Sequence, residues 1–93
     1  MIQSFAGETT ERVWNREKAP RLGAEMQRAA QEKLRQLNAA DNIYDLRIPP
    51  GNRLEKLAGN RAGQHSIRIN DQYRICLVWT KQGPADVEIT DYH

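Results

Sequence analysis

The chain has 93 residues, of which 39% are hydrophobic and 28% charged, with one cysteine and a formal net charge of +2. That length allows one domain, residues 1–93, with a small core, and the composition excludes a disordered, collagen-like or disulfide-framed chain. No apolar run is long enough to span a bilayer, and Met1-Ile2-Gln3-Ser4-Phe5 lacks the cationic start and apolar stretch of a signal peptide, so no membrane association and a cytoplasmic location are expected.

Ile2, Ser4 and Phe5 read as a short first strand, which Gly7 ends. The charged stretch around Val13 and Trp14 reads as a short helix, and the sparse apolar content of residues 6–20 makes them a candidate for mobility without a partner. Pro20 suits the first turn of the next helix, where its missing N–H loses no bond. From Leu22 the apolar residues recur at Met26, Ala30 and Leu34, with Ala29 and Leu37 alongside, which is one buried stripe of helical period. Ile43, Tyr44 and Leu46 suggest a single helical turn, and Pro49-Pro50-Gly51 interrupts regular structure. Residues 54–58 read as a short edge strand, and 59–64 as a tight loop presenting Arg61.

Ser66 to Thr80 reads as a hairpin whose alternation selects its loop. Ile67 and Ile69 alternate on one arm, and Tyr73, Ile75, Leu77 and Trp79 on the other. A two-residue loop at Asp71-Gln72 sets Ile69 against Arg74 and mixes the faces. A three-residue loop, Asn70 to Gln72, pairs Ile69 with Tyr73 and Ile67 with Ile75, so the apolar side chains share one face. The same register sets Arg68 opposite Arg74, a like-charge pair that costs stability unless an anion sits between them or Glu88 or Glu55 neutralises it. Gly83-Pro84 is read as the turn into a last strand, Ala85 to Tyr92, with Val87 and Ile89 on the core side. Strict alternation then sends Asp91 and His93 to the core side and Tyr92 to the side of Arg68 and Arg74. Gathering them at one site requires a bulge, a twist or an overhanging strand end.

The charge is segregated. Residues 1–46 balance at zero, 47–74 hold six basic residues against two acidic ones, and 85–93 hold three acidic residues. A basic middle third is the footprint expected for phosphate contacts, although a solvated cationic face has the same composition. RNA carries its own nucleophile, so cleavage without a metal needs a base for the 2′-hydroxyl, an acid for the leaving 5′-oxygen and a cation for the developing phosphorane charge. His93 or Asp91 can serve as base, His93 or Tyr92 as acid and Arg74 as the cation, while Tyr92 can equally stack on a base. Arg53, Lys56, Arg61 and Arg68 are the candidates for the RNA backbone. Glu55 is a further candidate base, or a counterion to Arg53 or Lys56. The remaining residues read as structure: Cys76 as a buried thiol, His65 as a strand-start residue, Trp14 and Trp79 as core, and Asp86 and Glu88 as solvent-side strand charges. One cysteine and two histidines at no ligand spacing argue against a zinc site, and no cofactor is expected.

Three linked blocks now resemble a known family. They are Pro49-Pro50-Gly51-Asn52-Arg53-Leu54-Glu55-Lys56-Leu57 with Gly59-Asn60-Arg61-Ala62-Gly63, then Ser66-Ile67-Arg68-Ile69-Asn70-Asp71-Gln72-Tyr73-Arg74-Ile75-Cys76, and the closing Asp91-Tyr92-His93. In this order they resemble the HigB branch of the RelE/ParE toxin superfamily, closely in the C-terminal half and in layout only before it. The resemblance implies an α/β fold of the α+β type, in which two N-terminal helices pack on a small, mainly antiparallel sheet. It implies a ribosome-dependent endoribonuclease that cuts messenger RNA in the decoding site, against 16S rRNA, and that a helix-turn-helix antitoxin resembling HigA neutralises in a hetero-oligomer. Arg74 matches the position that stabilises the transition state in RNA-cleaving relatives, and Asp91, Tyr92 and His93 match C-terminal active-site positions. Some relatives have a histidine and a lysine where this chain has Glu55 and Ala58, so Glu55 takes the base's place or the work falls on His93. Two rivals stand beside this reading: a ParE-like toxin that blocks DNA gyrase on the same scaffold, and a basic binding module without catalysis.

Overall fold

The computed structural model of the chain describes residues 1–91, so Tyr92 and His93 lie outside the described residues. Helix α1 (Glu8–Trp14) opens with Glu8 and Glu11 at its positive end, and Arg12 closes an i,i+4 pair with Glu8 at 2.8 Å. Its inward residues Thr10 and Val13 are buried, as is Ala19 in the turn that follows, and these contacts anchor the stretch whose composition suggested mobility. Helix α2 (Ala24–Ala39) begins after Gly23. Pro20 therefore lies outside the helix and not in its first turn, because the Leu22 amide bonds the Ala19 carbonyl at 3.1 Å and closes a separate turn around it. The expected stripe is the core face of α2: Ala30, Leu34 and Leu37 have no exposed surface, and Leu22 and Met26 pack against them.

Strands β1 (Glu55–Lys56), β2 (His65–Arg68), β3 (Tyr73–Thr80) and β4 (Gly83–Asp91) form one antiparallel sheet in sequence order, with short 3-10 turns at Ile43–Arg47, Pro50–Asn52 and Gly59–Arg61. Two helices against a four-stranded antiparallel sheet are the α+β architecture expected. The hairpin register is also as the alternation requires: Ile67 opposes Ile75, Arg68 opposes Arg74, and Ile69 donates its amide to the Tyr73 carbonyl at 2.9 Å. Ile67, Ile75, Leu77 and Val87 meet Leu34 and Leu37 in the core, which leaves Ser66, Arg68, Arg74, Cys76, Glu88 and Thr90 on the other face.

The β3–β4 connection differs from expectation. Thr80 opposes Gly83 and Trp79 opposes Pro84, so the turn is Lys81-Gln82 and Gly83-Pro84 belongs to the strand. The Thr80 hydroxyl makes that tight turn possible by donating to the Gly83 carbonyl at 2.7 Å and accepting the Gln82 amide at 3.2 Å. Gly83 adopts φ 132°, and a Cβ there would stand 2.4 Å from the Met1 carbonyl oxygen, because the N-terminal segment runs along β4. That segment is extended as expected and makes a parallel bridge at Phe5–Val87, with the Val87 amide on the Ser4 carbonyl at 3.1 Å. Where it docks, β4 carries one extra residue: the ladder slips between Cys76 and Val78, and Asp86 takes a left-handed φ of 50° with its amide on the Ser4 hydroxyl at 2.8 Å. The slip is over before Glu88, and from there to the Tyr73–Asp91 pair the ladder is regular. Among the described residues no helix is long and apolar enough to cross a membrane.

Candidate functional site

Arg74 occupies the middle of β3 on the face turned away from the helices, and its side chain is only 9% exposed. Its Nε donates to the Ser66 hydroxyl at 2.8 Å, and its Nη2 donates to the Arg53 carbonyl at 2.7 Å and, at a longer 3.4 Å, to the Ser66 carbonyl. The nearest Glu55 carboxylate oxygen stands back at 3.9 Å. Glu55 is on this face because it opposes Ser66 in the β1–β2 ladder. The structure thus brings Arg74, Glu55 and the backbone of Arg53 together.

The other cations of the track are disposed differently. Arg68 does not wait for an anion shared with Arg74; it pairs with Asp71 in the hairpin loop. Arg61 is only partly presented to solvent by its loop, because it folds back to donate to Gln64 Oε1 at 3.0 Å and to Glu88 Oε1 at 3.1 Å. Glu88 is accordingly half-buried under that guanidinium and not a simple solvent-side charge. Acidic residues relieve the arginine pair that the register sets up: Asp71 pairs with Arg68, and Glu55, one of the two expected, pairs with Arg74 at 3.9 Å. Arg53 and Lys56 are exposed at the sheet edge.

Asp91 opposes Tyr73, whereas Arg74 opposes Thr90, so the regular ladder places Asp91 on the opposite face from Arg74. Its carboxylate accepts from Gln72 Nε2 at 3.1 Å. The bulge that alternation asked for exists, but it lies too far upstream to turn Asp91 over. Tyr92 and His93 fall outside the described residues.

Two polar residues that the sequence reading passed over belong to the site's frame. Ser66 is fully buried beneath Arg74, and the hairpin register contained the signal, since it puts Ser66 opposite Cys76 and diagonal to Arg74. Asn52 is also fully buried: it accepts from Lys33 Nζ at 2.6 Å and donates to the Leu46 carbonyl at 3.2 Å, which pins the Pro50–Asn52 turn to α2 just before Arg53. Nothing in the local sequence marks Asn52, because its partners come from distant segments. Cys76 is a free, buried thiol, as expected. His65 is half-buried on the core side, with a buried Nδ1 that has no hydrogen-bond partner among the described residues. Burial first, and then the nearby Lys56 ammonium, lower its pKa from the ordinary 6.5.

A hollow of about 500 Å³ lies by the α1–α2 connection, lined by Arg16, Leu22, Gln27 and Arg28 among others, and it contains no residue of the Arg74 site.

Two helices behind a small antiparallel sheet, with an arginine on the sheet face turned away from them, are the build of a RelE-like toxin. The sequence matches, over residues 3–93, the family described as "RelE-like toxin of type II toxin-antitoxin system HigB". It is 42% identical over 80 residues to Toxin HigB-1 of Vibrio cholerae serotype O1, a match covering 85% of this chain and 84% of that one. An uncharacterized protein of Haemophilus influenzae is 47% identical over 47 residues, which are 50% of this chain and 45% of that protein. The chain belongs to the HigB-like family of type II toxin–antitoxin toxins, and an antitoxin is the partner this implies.

Proposed function

We propose that this toxin is an endoribonuclease that cuts translated messenger RNA on the ribosome, by attack of the 2′-hydroxyl on the adjacent phosphate. The observation that carries the reading is Arg74, a guanidinium oriented by neutral oxygens at 2.7 and 2.8 Å on the sheet face turned away from the helices of a HigB-like toxin. In that role it stabilises the charge that develops on the phosphorane, where a fixed cation contributes most. No metal is required for this chemistry, because the nucleophile belongs to the RNA. Glu55, at 3.9 Å from Arg74, and His93 are the candidates for the base, Asp91 lying on the opposite face; His93 or Tyr92 supplies the acid. Arg53, exposed at the edge, is the cation best placed for the RNA backbone, whereas Arg61 and Arg68 reach it only by exchanging Glu88 and Asp71 for phosphate and Lys56 lies on the other side of β1.

A site on so small a domain holds a flexible message poorly by itself. The decoding site of the ribosome supplies the missing wall and the orientation, which accounts for the ribosome dependence. A helix-turn-helix antitoxin resembling HigA neutralises the toxin in a hetero-oligomer. The test is primer extension on translated messages after induction: cuts within codons are expected for the wild type and not for Arg74→Ala or His93→Ala. Cuts that persist in both variants would remove the site assignment. Supercoiling activity blocked with no cuts would favour the gyrase-directed alternative.

A further inference from the structure

We infer that Ser66, together with the Arg53 carbonyl, is the device that positions Arg74 for phosphate chemistry, which makes Ser66 a positioning residue; the inference rests on the ribonuclease reading of Arg74. Serine is a poor choice for a fully buried strand position on steric grounds, since β-branched residues fill such sites better, and a buried hydroxyl is unfavourable unless it is bonded. Here the Ser66 oxygen accepts Arg74 Nε at 2.8 Å. The second anchor is the Arg53 carbonyl on Nη2 at 2.7 Å. Two acceptors on two nitrogens of one planar group fix both its position and its plane.

The carbonyl is itself held in place. Arg53 takes a left-handed backbone, φ 45° and ψ 58°, a conformation unfavourable for a side-chain-bearing residue unless its surroundings impose it. The residue before it, Asn52, is fixed to α2 through Lys33, and the Arg53 amide itself bonds the Pro50 carbonyl. The frame therefore runs from the long helix, through a buried amide and a strained residue, to the guanidinium.

The chemical character of the anchors separates Arg74 from its neighbours. Arg61 and Arg68 are each held by a carboxylate, Glu88 and Asp71. A hydroxyl and a carbonyl supply the short bonds that orient the Arg74 guanidinium, and its ion pair with Glu55 is the longer contact, at 3.9 Å.

The test uses the full-length toxin with ribosomes carrying a defined messenger RNA, in single-turnover cleavage. Ser66→Ala is expected to lower the cleavage rate at saturating toxin roughly tenfold to a hundredfold, the scale on which small misplacements act, with the half-saturating concentration unchanged. Ser66→Thr, which retains the hydroxyl, should recover most of that rate. In an Arg74→Ala background, Ser66→Ala should have no further effect, because a residue that works only through Arg74 is not additive with it. An activity-independent readout accompanies the kinetics: the Arg74 Nε–H signal in nuclear magnetic resonance should exchange slowly in the wild type and in Ser66→Thr, and fast in Ser66→Ala. An unchanged rate and an unchanged Nε–H signal in a folded Ser66→Ala protein would overturn the inference, as would equal losses with and without Arg74. Wild-type toxin that cleaves nothing, while Ser66→Ala still frees the Nε–H, supports the positioning and removes the ribonuclease reading instead.

Discussion

Replacing Asn52 by Ala tests whether one buried side chain holds the loop that presents the Arg53 carbonyl to Arg74. The Asn52 amide accepts from the Lys33 ammonium at 2.6 Å and donates to the Leu46 carbonyl at 3.2 Å, with longer bonds of 3.3 and 3.4 Å to Gln36 and to the Ile48 carbonyl. A hydrogen bond to a charged group contributes about 2 kcal/mol and a neutral one about 1 kcal/mol, so the two short bonds alone predict a loss of about 3 kcal/mol, with the long bonds counted as nothing. For a domain of this size each kcal/mol moves the melting temperature by about 4–8 °C, which gives a fall of roughly 12–24 °C. Urea unfolding of both proteins at one pH measures the difference directly, with an unchanged slope showing that the unfolded states match. Asn52→Asp separates the two contacts, since it keeps an acceptor for Lys33 but turns a carboxylate oxygen toward the Leu46 carbonyl. It should be destabilised as well, although the ammonium bond survives. A loss under about 1 kcal/mol in the alanine variant at constant slope would refute the reasoning, because it would mean that the loop is held by its prolines and not by the amide.

Three further outcomes follow from particular residues. Gly83→Ala should lose about 1–3 kcal/mol in urea unfolding, from its left-handed φ and from the Met1 carbonyl oxygen at 2.4 Å, and the amides of Gln3 and Ala6 should exchange faster; an unchanged midpoint would contradict the close approach. The fold disfavours the charged form of His65 and lowers its pKa from the unfolded 6.5, so the unfolded chain binds more protons just below that pH. Stability should therefore fall as pH drops from 6.5 through the lowered value, and His65→Gln should show a smaller fall between pH 7.5 and pH 5 than the wild type, read as urea midpoints; equal falls would show that His65 is not the group responsible. If Arg53 and Lys56 contact the RNA backbone, Arg53→Gln and Lys56→Gln should each weaken ribosome binding and reduce its salt dependence by about one ion, while a mutant with wild-type salt dependence would take that residue out of the interface.

What could be read from the sequence was what depends on near neighbours along the chain. The period of Ala30, Leu34 and Leu37 identifies the core face of α2, and alternation alone sets the hairpin register to the residue, because a slip of β2 by one would turn Arg68 toward the helices and Ile67 away from them. Pro20 and Gly83-Pro84 were misplaced for a common reason. Proline and glycine mark departures from regular hydrogen bonding, but whether the departure is a turn or a strand edge is decided by the segment alongside, and for Gly83 that segment is the chain's own first residue. The site was legible in its charges and not in its frame. Arg74 stands out as a cation beside a tyrosine, whereas Ser66 and Asn52 are small polar residues whose meaning lies in partners 8 and 19 positions away.

The same distinction changes what the basic segment means. Six cations between Arg47 and Arg74 suggest a continuous positive track, yet Arg47 lies over the Tyr44 ring at 4.6 Å, and Arg61 and Arg68 are held by Glu88 and Asp71. Arg53 and Lys56 are exposed at the edge, Lys56 opposite His65 and so on the other side of the sheet from Arg74, which is buried at the centre. Exposed cations attract a polyanion over a distance of about a Debye length and are screened by salt, while a buried guanidinium acts only at contact and is screened far less. The fold thus divides attraction from stabilisation between different residues. Arg53 contributes to both: its side chain stands with the attracting pair, and its carbonyl, in a strained left-handed conformation, holds the stabilising one. Loss of its charge and loss of its backbone geometry should therefore have separable effects, the first on binding and its salt dependence, the second on the rate of cleavage.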